Sequence, residues 1–340
     1  MQKILLAMLL SMGLCCNTGK SAYAAESRWY KGNVHAHTTL SDGQLPLQEV
    51  IGWYYTNNYD FLVITDHVGI STPKEELVGG QDERKMLLIP GQEITRDKPV
   101  IDVGAINIKQ FIPGTAGMLT DQEKNGWIRK FKEKGKSEQE TTNELYMIKC
   151  RSLMQGAIDE IRLQGGVPVL NHPSYDKTVD YKLLAPNLKS VCLFEIFNGH
   201  CNWIEDDLWI AMLDAGCRYY GIAADDTHPR KDLGKAWICV RCPELSSKAI
   251  LTALEQGDFY ASTGVVLNDV RFAADKLQII IKPAADNSRY SIEFIGPGGH
   301  VLQTTEGTEG VYIPSGNEKY IRGRVKDNTG AFAWTQPFFR

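Results

Sequence analysis

The chain has 340 residues, 43% hydrophobic and 23% charged, with a formal net charge of −4 and a pI near 6.0. That length can bury a large core and fits one big domain plus a small one. The mild acidity excludes bulk attraction to nucleic acid or an anionic membrane surface, so any affinity for phosphate has to come from a local site.

The first residues read as an export signal. Lys3 gives a short positive region, 4–14 is mostly apolar, and Ala22-Tyr23-Ala24 matches a small-x-small cleavage site. A signal peptide is predicted over 1–24, and with it a periplasmic or extracellular protein. The apolar run is too short to span a bilayer, and no later stretch approaches ~20 apolar residues. A lipid anchor at Cys15 or Cys16 is disfavoured because Leu14 stands where a small residue would be expected. Six cysteines follow the signal, including a lone Cys239-Val240-Arg241-Cys242 at the end of a strand-like run. With no second pair and no helix start to lower a thiol pKa, buried structural thiols are expected rather than a redox pair.

Strands are predicted in chain order over 29–34, 61–65, 87–89, 100–108, 167–170, 193–197, 219–223 and 236–240. Helical spacing of apolar residues falls over 47–56, 144–164 and 206–215. Near-continuous apolar strands separated by helices argue for a parallel sheet covered on both faces, hence an α/β fold. The charged segment 110–140 interrupts the alternation as an insertion, read as a lid or, in preference, a merely solvated helix. From 268 the pattern changes to alternating strands with turns at Pro297-Gly298-Gly299 and Asp327-Asn328-Thr329-Gly330, which predicts a small β-sandwich domain over 268–340. The domain before it is expected over 27–265.

Five of the seven histidines stand at the ends of apolar runs beside carboxylates. They occur in Asn33-Val34-His35-Ala36-His37-Thr38-Thr39-Leu40-Ser41-Asp42-Gly43, Thr65-Asp66-His67, Asn171-His172-Pro173 and Asp225-Asp226-Thr227-His228; Gly91-Gln92-Glu93 lies between the second and third of these. Imidazole and carboxylate suit divalent first-row metals. His35 and His37 are two residues apart, so on an extended strand end they share a side and one ion can take both. Glu93 and Asp226 are natural oxygen ligands, and Asp226 and His228 repeat the same spacing. In a barrel of parallel strands such C-terminal ends form the rim on which active sites are built. Two or three ions ~3.5–4 Å apart can clamp a phosphoryl group and activate a water. His200 could line the rim and touch substrate, whereas His300 is expected at the surface. Arg96, Arg151 and Arg230 are the candidate phosphate anchors, with Arg230 the best placed because it follows His228.

The ordered set H-x-H-T-x-x-S-D-G, T-D-H, G-x-E, N-H-P and D-x-H resembles the signature of the PHP (polymerase and histidinol phosphatase) family, over roughly 28–264. The stretch from Leu254 to Gly264 and the C-terminal Arg322 to Pro337 resemble the exported PHP-like metal-dependent phosphoesterases of that family. The resemblance implies a distorted seven-stranded (β/α) barrel with a small C-terminal all-β domain and up to three metals. It implies His35, His37, Glu93 and Asp226 as ligands of the first metal, Glu93 and His172 of the second, and Asp42, His67 and His228 of the third. The family usually supplies another histidine on the strand after G-x-E; here Asp102 occupies that place. Asp102 either ligates or leaves the second site weak, so two ions are expected, with a third open, drawn from manganese, zinc or iron. Asp66 and Asp225 are expected to orient neighbouring ligands.

The expected activity is hydrolysis of a small-molecule phosphate mono- or diester by a metal-activated hydroxide, with no nucleic-acid partner. A carboxyl-ester or carbamate hydrolase would keep the metals and change the bond. A non-catalytic glycan-binding protein is the third reading, against which the full His/Asp/Glu set argues.

Overall fold

The computed structural model describes residues 27–80, 83–97, 100–273 and 276–340; the expected signal peptide, with Cys15 and Cys16, lies outside them. The elements up to residue 262 are β1 (Arg28–Asn33), α1 (Leu47–Thr56), β2 (Phe61–Ile64), β3 (Glu76–Gly79), β4 (Lys85–Asp97), β5 (Val100–Ile106), α2 (Asp121–Glu133), α3 (Glu138–Leu163), β6 (Val167–Leu170), α4 (Tyr181–Leu184), β7 (Leu193–Asn198), β8 (Trp203–Ile204), α5 (Asp206–Asp214), β9 (Tyr220–Ala224), β10 (Trp237–Cys242), α6 (Ser247–Gln256) and β11 (Phe259–Ser262). Those after it are β12 (Leu267–Ala273), β13 (Lys276–Ile281), β14 (Tyr290–Ile295), β15 (Val301–Glu306), β16 (Glu309–Tyr312), β17 (Tyr320–Asp327), β18 (Phe332–Thr335) and β19 (Phe338–Phe339). The fold is mixed α/β, with one sixteen-stranded sheet and a separate three-stranded sheet.

Strands β2, β6 and β7 are buried at every position, as sequences Phe-Leu-Val-Ile, Val-Pro-Val-Leu and Leu-Phe-Glu-Ile-Phe-Asn require when both faces are covered. One face packs on α3 through Cys150, Leu153, Met154, Ala157, Ile158 and Ile161. Helix α1 instead buries Val50 and Tyr54 against Leu62, Ile64, Met86 and Leu88. Helices α2 and α3 both start in capping boxes, Thr120 with Glu123 and Ser137 with Glu140. Those boxes extend the helix expected over 144–164 back to Glu138 and make the charged segment within 110–140 a regular helix packed on α3.

The expected all-parallel order is corrected at β5. Strands β1, β2 and β4 run parallel, as do β6, β7 and β9, but β5 lies antiparallel between β4 and β6. A parallel crossover needs a dozen or more residues, and β5 begins three residues after β4 ends, so the pair forms a hairpin. On its other side β1 pairs antiparallel with β10. The expected strand 87–89 lies near the start of a much longer β4, so Glu93 sits within a strand rather than after one.

Beyond α6 the large sheet continues through β11 to β18, β17, β14 and β15. Strands β12, β13 and β16 form the small sheet. Leu277, Ile279 and Ile281 share one apolar cluster with Ile292, Phe294 and Val325. Arg322 and Arg324 reach from β17 to the two oxygens of Asp206 at the start of α5, each at 2.6 Å. All six cysteines in the described residues are free thiols. No helix among them is long and apolar enough to cross a membrane.

Candidate metal centre

The chain leaves β1 at Asn33 still extended. Ala36 bridges Thr227 in parallel, Asp226 N–H donates to His35 O at 3.0 Å, and His37 N–H donates to Thr227 O at 3.0 Å. This local strand character sends His35 and His37 to one side. Asp226, two residues beyond the end of β9, adopts a left-handed φ of 50°, a conformation that a short polar side chain tolerates better than a branched one.

Four ligand atoms meet there. Nε2 of His35 lies 3.1 Å from Nε2 of His37, 3.2 Å from Glu93 Oε2 and 3.1 Å from Asp226 Oδ1. Nε2 of His37 lies 3.3 and 3.2 Å from the same two oxygens. Separations of this size are those between neighbouring donor atoms that each lie about 2 Å from a shared ion, the bond length of zinc or a similar ion to nitrogen and oxygen. All four residues are buried.

Two further groups flank this one. Glu93 presents its other oxygen to His172 Nε2 at 3.0 Å, and His172 Nδ1 lies 3.7 Å from Asp102 Oδ2. Because β5 is antiparallel, the start of that strand lies at the same rim as the ends of its parallel neighbours; Asp102 there pairs with Thr95 of β4. On the other side Asp42 Oδ2 lies 3.3 Å from His67 Nε2 and 3.2 Å from His228 Nε2, while Asp42 Oδ1 is 3.5 Å from His37 Nδ1. Nδ1 of His37 and of His172 are buried without a hydrogen-bond partner, so these two nitrogens, unlike the Nε2 atoms of the same rings, are left unsatisfied.

The remaining expected residues lie around these groups. His200 is at the rim, its Nδ1 2.7 Å from Asp232 Oδ2 and its ring 4.4 Å from that of His228. Arg230 is exposed and ion-paired with Glu49 of α1. Asp66 accepts from Thr38 N–H at 2.7 Å, Thr38 Oγ1 at 2.8 Å, Ser41 Oγ at 2.7 Å and Ser71 Oγ, and so folds the loop that carries Asp42. Asp225 accepts from Tyr54 Oη, Gly234 N–H and Ala236 N–H, each at 2.7 Å, bracing the backbone beside Asp226. His300 is exposed.

Besides Asp66 and Asp225, sequence reasoning missed the residues that hold the candidate ligands. Glu195 of β7, completely buried, accepts from His35 Nδ1 at 3.1 Å, His172 N–H at 2.7 Å and Asn198 Nδ2 at 3.0 Å. Asn171 donates to Glu93 Oε1 at 2.8 Å, and Asn198 to Asp226 Oδ2 at 3.0 Å. Thr95 Oγ1 lies 2.8 Å from His67 Nδ1. The available signal was a lone carboxylate inside the otherwise apolar run Leu193 to Phe197.

Burial acts against charge on the imidazoles, but the carboxylates outweigh it. His37 is raised to about 9 by Asp226 and Glu93, His172 to about 10 mainly by Glu93, and His35 well above its usual range by Asp226, Glu93 and Glu195. Burial likewise opposes charge on Glu93 and Asp226, and the surrounding histidines hold both well below the ordinary carboxylate range. Asp102 moves the other way, pushed up to about 6 by burial and by neighbouring Glu93. The pocket thus draws positive charge to itself, which protons or a divalent cation can satisfy.

No family model matches the chain, and no curated protein matches it. Among solved structures, it is similar to a two-domain protein from Bacteroides vulgatus ATCC 8482 described as containing a predicted PHP-like metal-dependent phosphoesterase. That likeness has 17% identity and a TM-score of 0.48, and covers 88% of this chain and 90% of that one. An amidohydrolase from Chromobacterium violaceum, with bound sulfate and no metal, is similar at 14% identity and a TM-score of 0.36, over 58% of this chain and 88% of its own.

Proposed function

We propose that the chain is an exported metal-dependent phosphoesterase of the PHP type that hydrolyses a small phosphate mono- or diester. The observation that carries this reading is the convergence of His35 Nε2, His37 Nε2, Glu93 Oε2 and Asp226 Oδ1 on one point. The Ala36 to Thr227 bridge supports reading β1, β2, β4, β5, β6, β7 and β9 as a closed, distorted seven-stranded barrel around that point, with 27–265 as the catalytic domain and 268–340 as the β-domain. Export is supported by the N-terminal pattern alone.

In this proposal His35, His37, Glu93 and Asp226 hold the first divalent ion, and Asp42, His67 and His228 hold another. Glu93, Asp102 and His172 offer a further place, with Asp102 standing in for an imidazole. Bound ions would supply Lewis acidity and a water nucleophile available near neutral pH. Glu195 keeps the proton of His35 on Nδ1 and so keeps Nε2 free to ligate. Asp66 and Asp225 hold the backbone of the two ligand loops. His200, fixed through Asp232, faces the rim where substrate enters. Arg230 serves as the phosphate anchor, exchanging the carboxylate of Glu49 for the more highly charged phosphate.

Purified protein reconstituted with Mn²⁺, Zn²⁺ or Fe²⁺ is expected to cleave aryl phosphates in preference to aryl acetates and carbamates. His35→Ala is expected to lower that turnover at least 10³-fold, on the order of removing a catalytic metal's contribution. Phosphate cleavage that survives both a chelator and His35→Ala contradicts the proposal, and preferential acetate or carbamate cleavage replaces the phosphoester reading with a carbonyl one.

A further inference from the structure

Beside His172 the rim carries two large exposed rings. The Tyr175 ring lies 5.4 Å from that of His172, and the Trp203 ring lies 6.3 Å from that of Tyr175. Tyr175 is 58% exposed and Trp203 37% exposed. Single exposed apolar residues are ordinary, but a contiguous pair in ring contact with a metal-site histidine is a surface on which a ligand gains by stacking.

The backbones that carry these rings are fixed to the site. Tyr175 N–H donates to His172 O at 2.9 Å. Trp203 pairs in β8 with Asn198 of β7, whose side chain donates to Asp226. Ser174 Oγ donates to Glu205 Oε2 at 2.8 Å and ties the two loops together. The backbone that carries each ring is therefore tied to a residue of the site, a condition for using the rings to orient a substrate.

Charge narrows what can lie there. The chain neighbours of the two rings, Ser174, Asp176 and Ile204, line a cleft of about 530 Å³ that also carries Asp180, Glu205 and Asp207 against Lys177 and Lys182. Four acids and two lysines repel an extended polyanion and accept an uncharged group. Resting on the phosphoesterase reading of the same site, we propose that Tyr175 and Trp203 form a shelf that holds an uncharged aromatic ring of the ester, joined to the phosphate by a short link. These two residues then position substrate and set specificity without touching the reacting atoms.

The test compares benzyl phosphate with cyclohexylmethyl phosphate on the Mn²⁺-loaded full chain. Both esters release primary alcohols of similar leaving ability, and they differ in the flatness and π-face of the ring. The benzyl ester is expected to have a KM roughly 3- to 10-fold lower. That ratio should fall towards one in Tyr175→Ala and in Trp203→Ala, and should be restored in Tyr175→Phe, which keeps the ring. Equal KM values in the parent protein, or a ratio that survives both alanine variants, overturn the shelf. Calorimetric binding of benzylphosphonate against cyclohexylmethylphosphonate makes the same comparison without turnover, and equal or absent binding of the two counts against the shelf. The matched acetates separate this inference from the reading beneath it. Acetate cleavage with ring preference but no phosphate cleavage keeps the shelf and removes the phosphoesterase, whereas phosphate cleavage without ring preference does the reverse.

Discussion

Glu195 is a charged group on a strand whose six positions are all buried, which ordinarily costs several kcal/mol. It is tolerated because every oxygen finds a donor: His35 Nδ1 on one, His172 N–H and Asn198 Nδ2 on the other. One residue thereby fixes the tautomer of one candidate ligand and the backbone of another. Glu195→Gln keeps the shape but must turn an amide NH₂ towards at least one existing donor, whichever way it lies. Metal affinity measured by competition with a chromophoric chelator is expected to fall roughly 10- to 100-fold in that variant, with the far-ultraviolet spectrum unchanged. Unaltered affinity would remove Glu195 from the metal centre. At this scale the sequence was readable where ligands share a strand end, since an i, i+2 spacing speaks for itself. The partners of those ligands come from other strands, as with His35 and Glu195, which lie 160 residues apart, and no local pattern announces them.

Among the elements, the loop from His37 to Gly43 shows how little slack the site has. Asp66 gathers its hydroxyls and amides, and Gly43 N–H donates to Thr38 O at 3.0 Å. A Cβ on Gly43 would stand 2.6 Å from the carbonyl carbon of His37 and from the amide nitrogen of Thr38, both backbone atoms that cannot swing aside. Gly43→Ala is therefore expected to displace Asp42 and weaken the group it forms with His67 and His228, while His35, Glu93 and Asp226 keep theirs. Elemental analysis after dialysis should show the variant holding about one ion fewer per chain than the parent; equal metal content contradicts this. The helices over 47–56 and 206–215 were legible from apolar spacing, and the observed α1 and α5 match them to within a residue. The direction of β5 was not, because apolar runs read alike in either direction and only the short connection from β4 hinted at a hairpin. That reversal is what carries Asp102, near the start of its strand, to the rim.

Across the whole molecule, residues from His35 to His228 come together because strands far apart in sequence are neighbours in one large sheet and the segments after β1 and β9 meet. The C-terminal strands attach by extending the same large sheet through β11 and β18, and by the two arginines that share Asp206. The mixed α/β class and the β-rich C-terminal portion could be read from periodicity; the continuity of one sheet through both could not, since strand pairing depends on contacts far apart in sequence. The account depends above all on a metal bound where four ligand atoms converge. Anomalous scattering from crystals of the Mn²⁺- or Zn²⁺-loaded protein, recorded on both sides of the metal's absorption edge, tests this most directly. The predicted result is a peak about 2.0–2.2 Å from His35 Nε2, His37 Nε2, Glu93 Oε2 and Asp226 Oδ1, with a second beside Asp42, His67 and His228. A map with no peak among the first four atoms, or with ions only elsewhere, would contradict it.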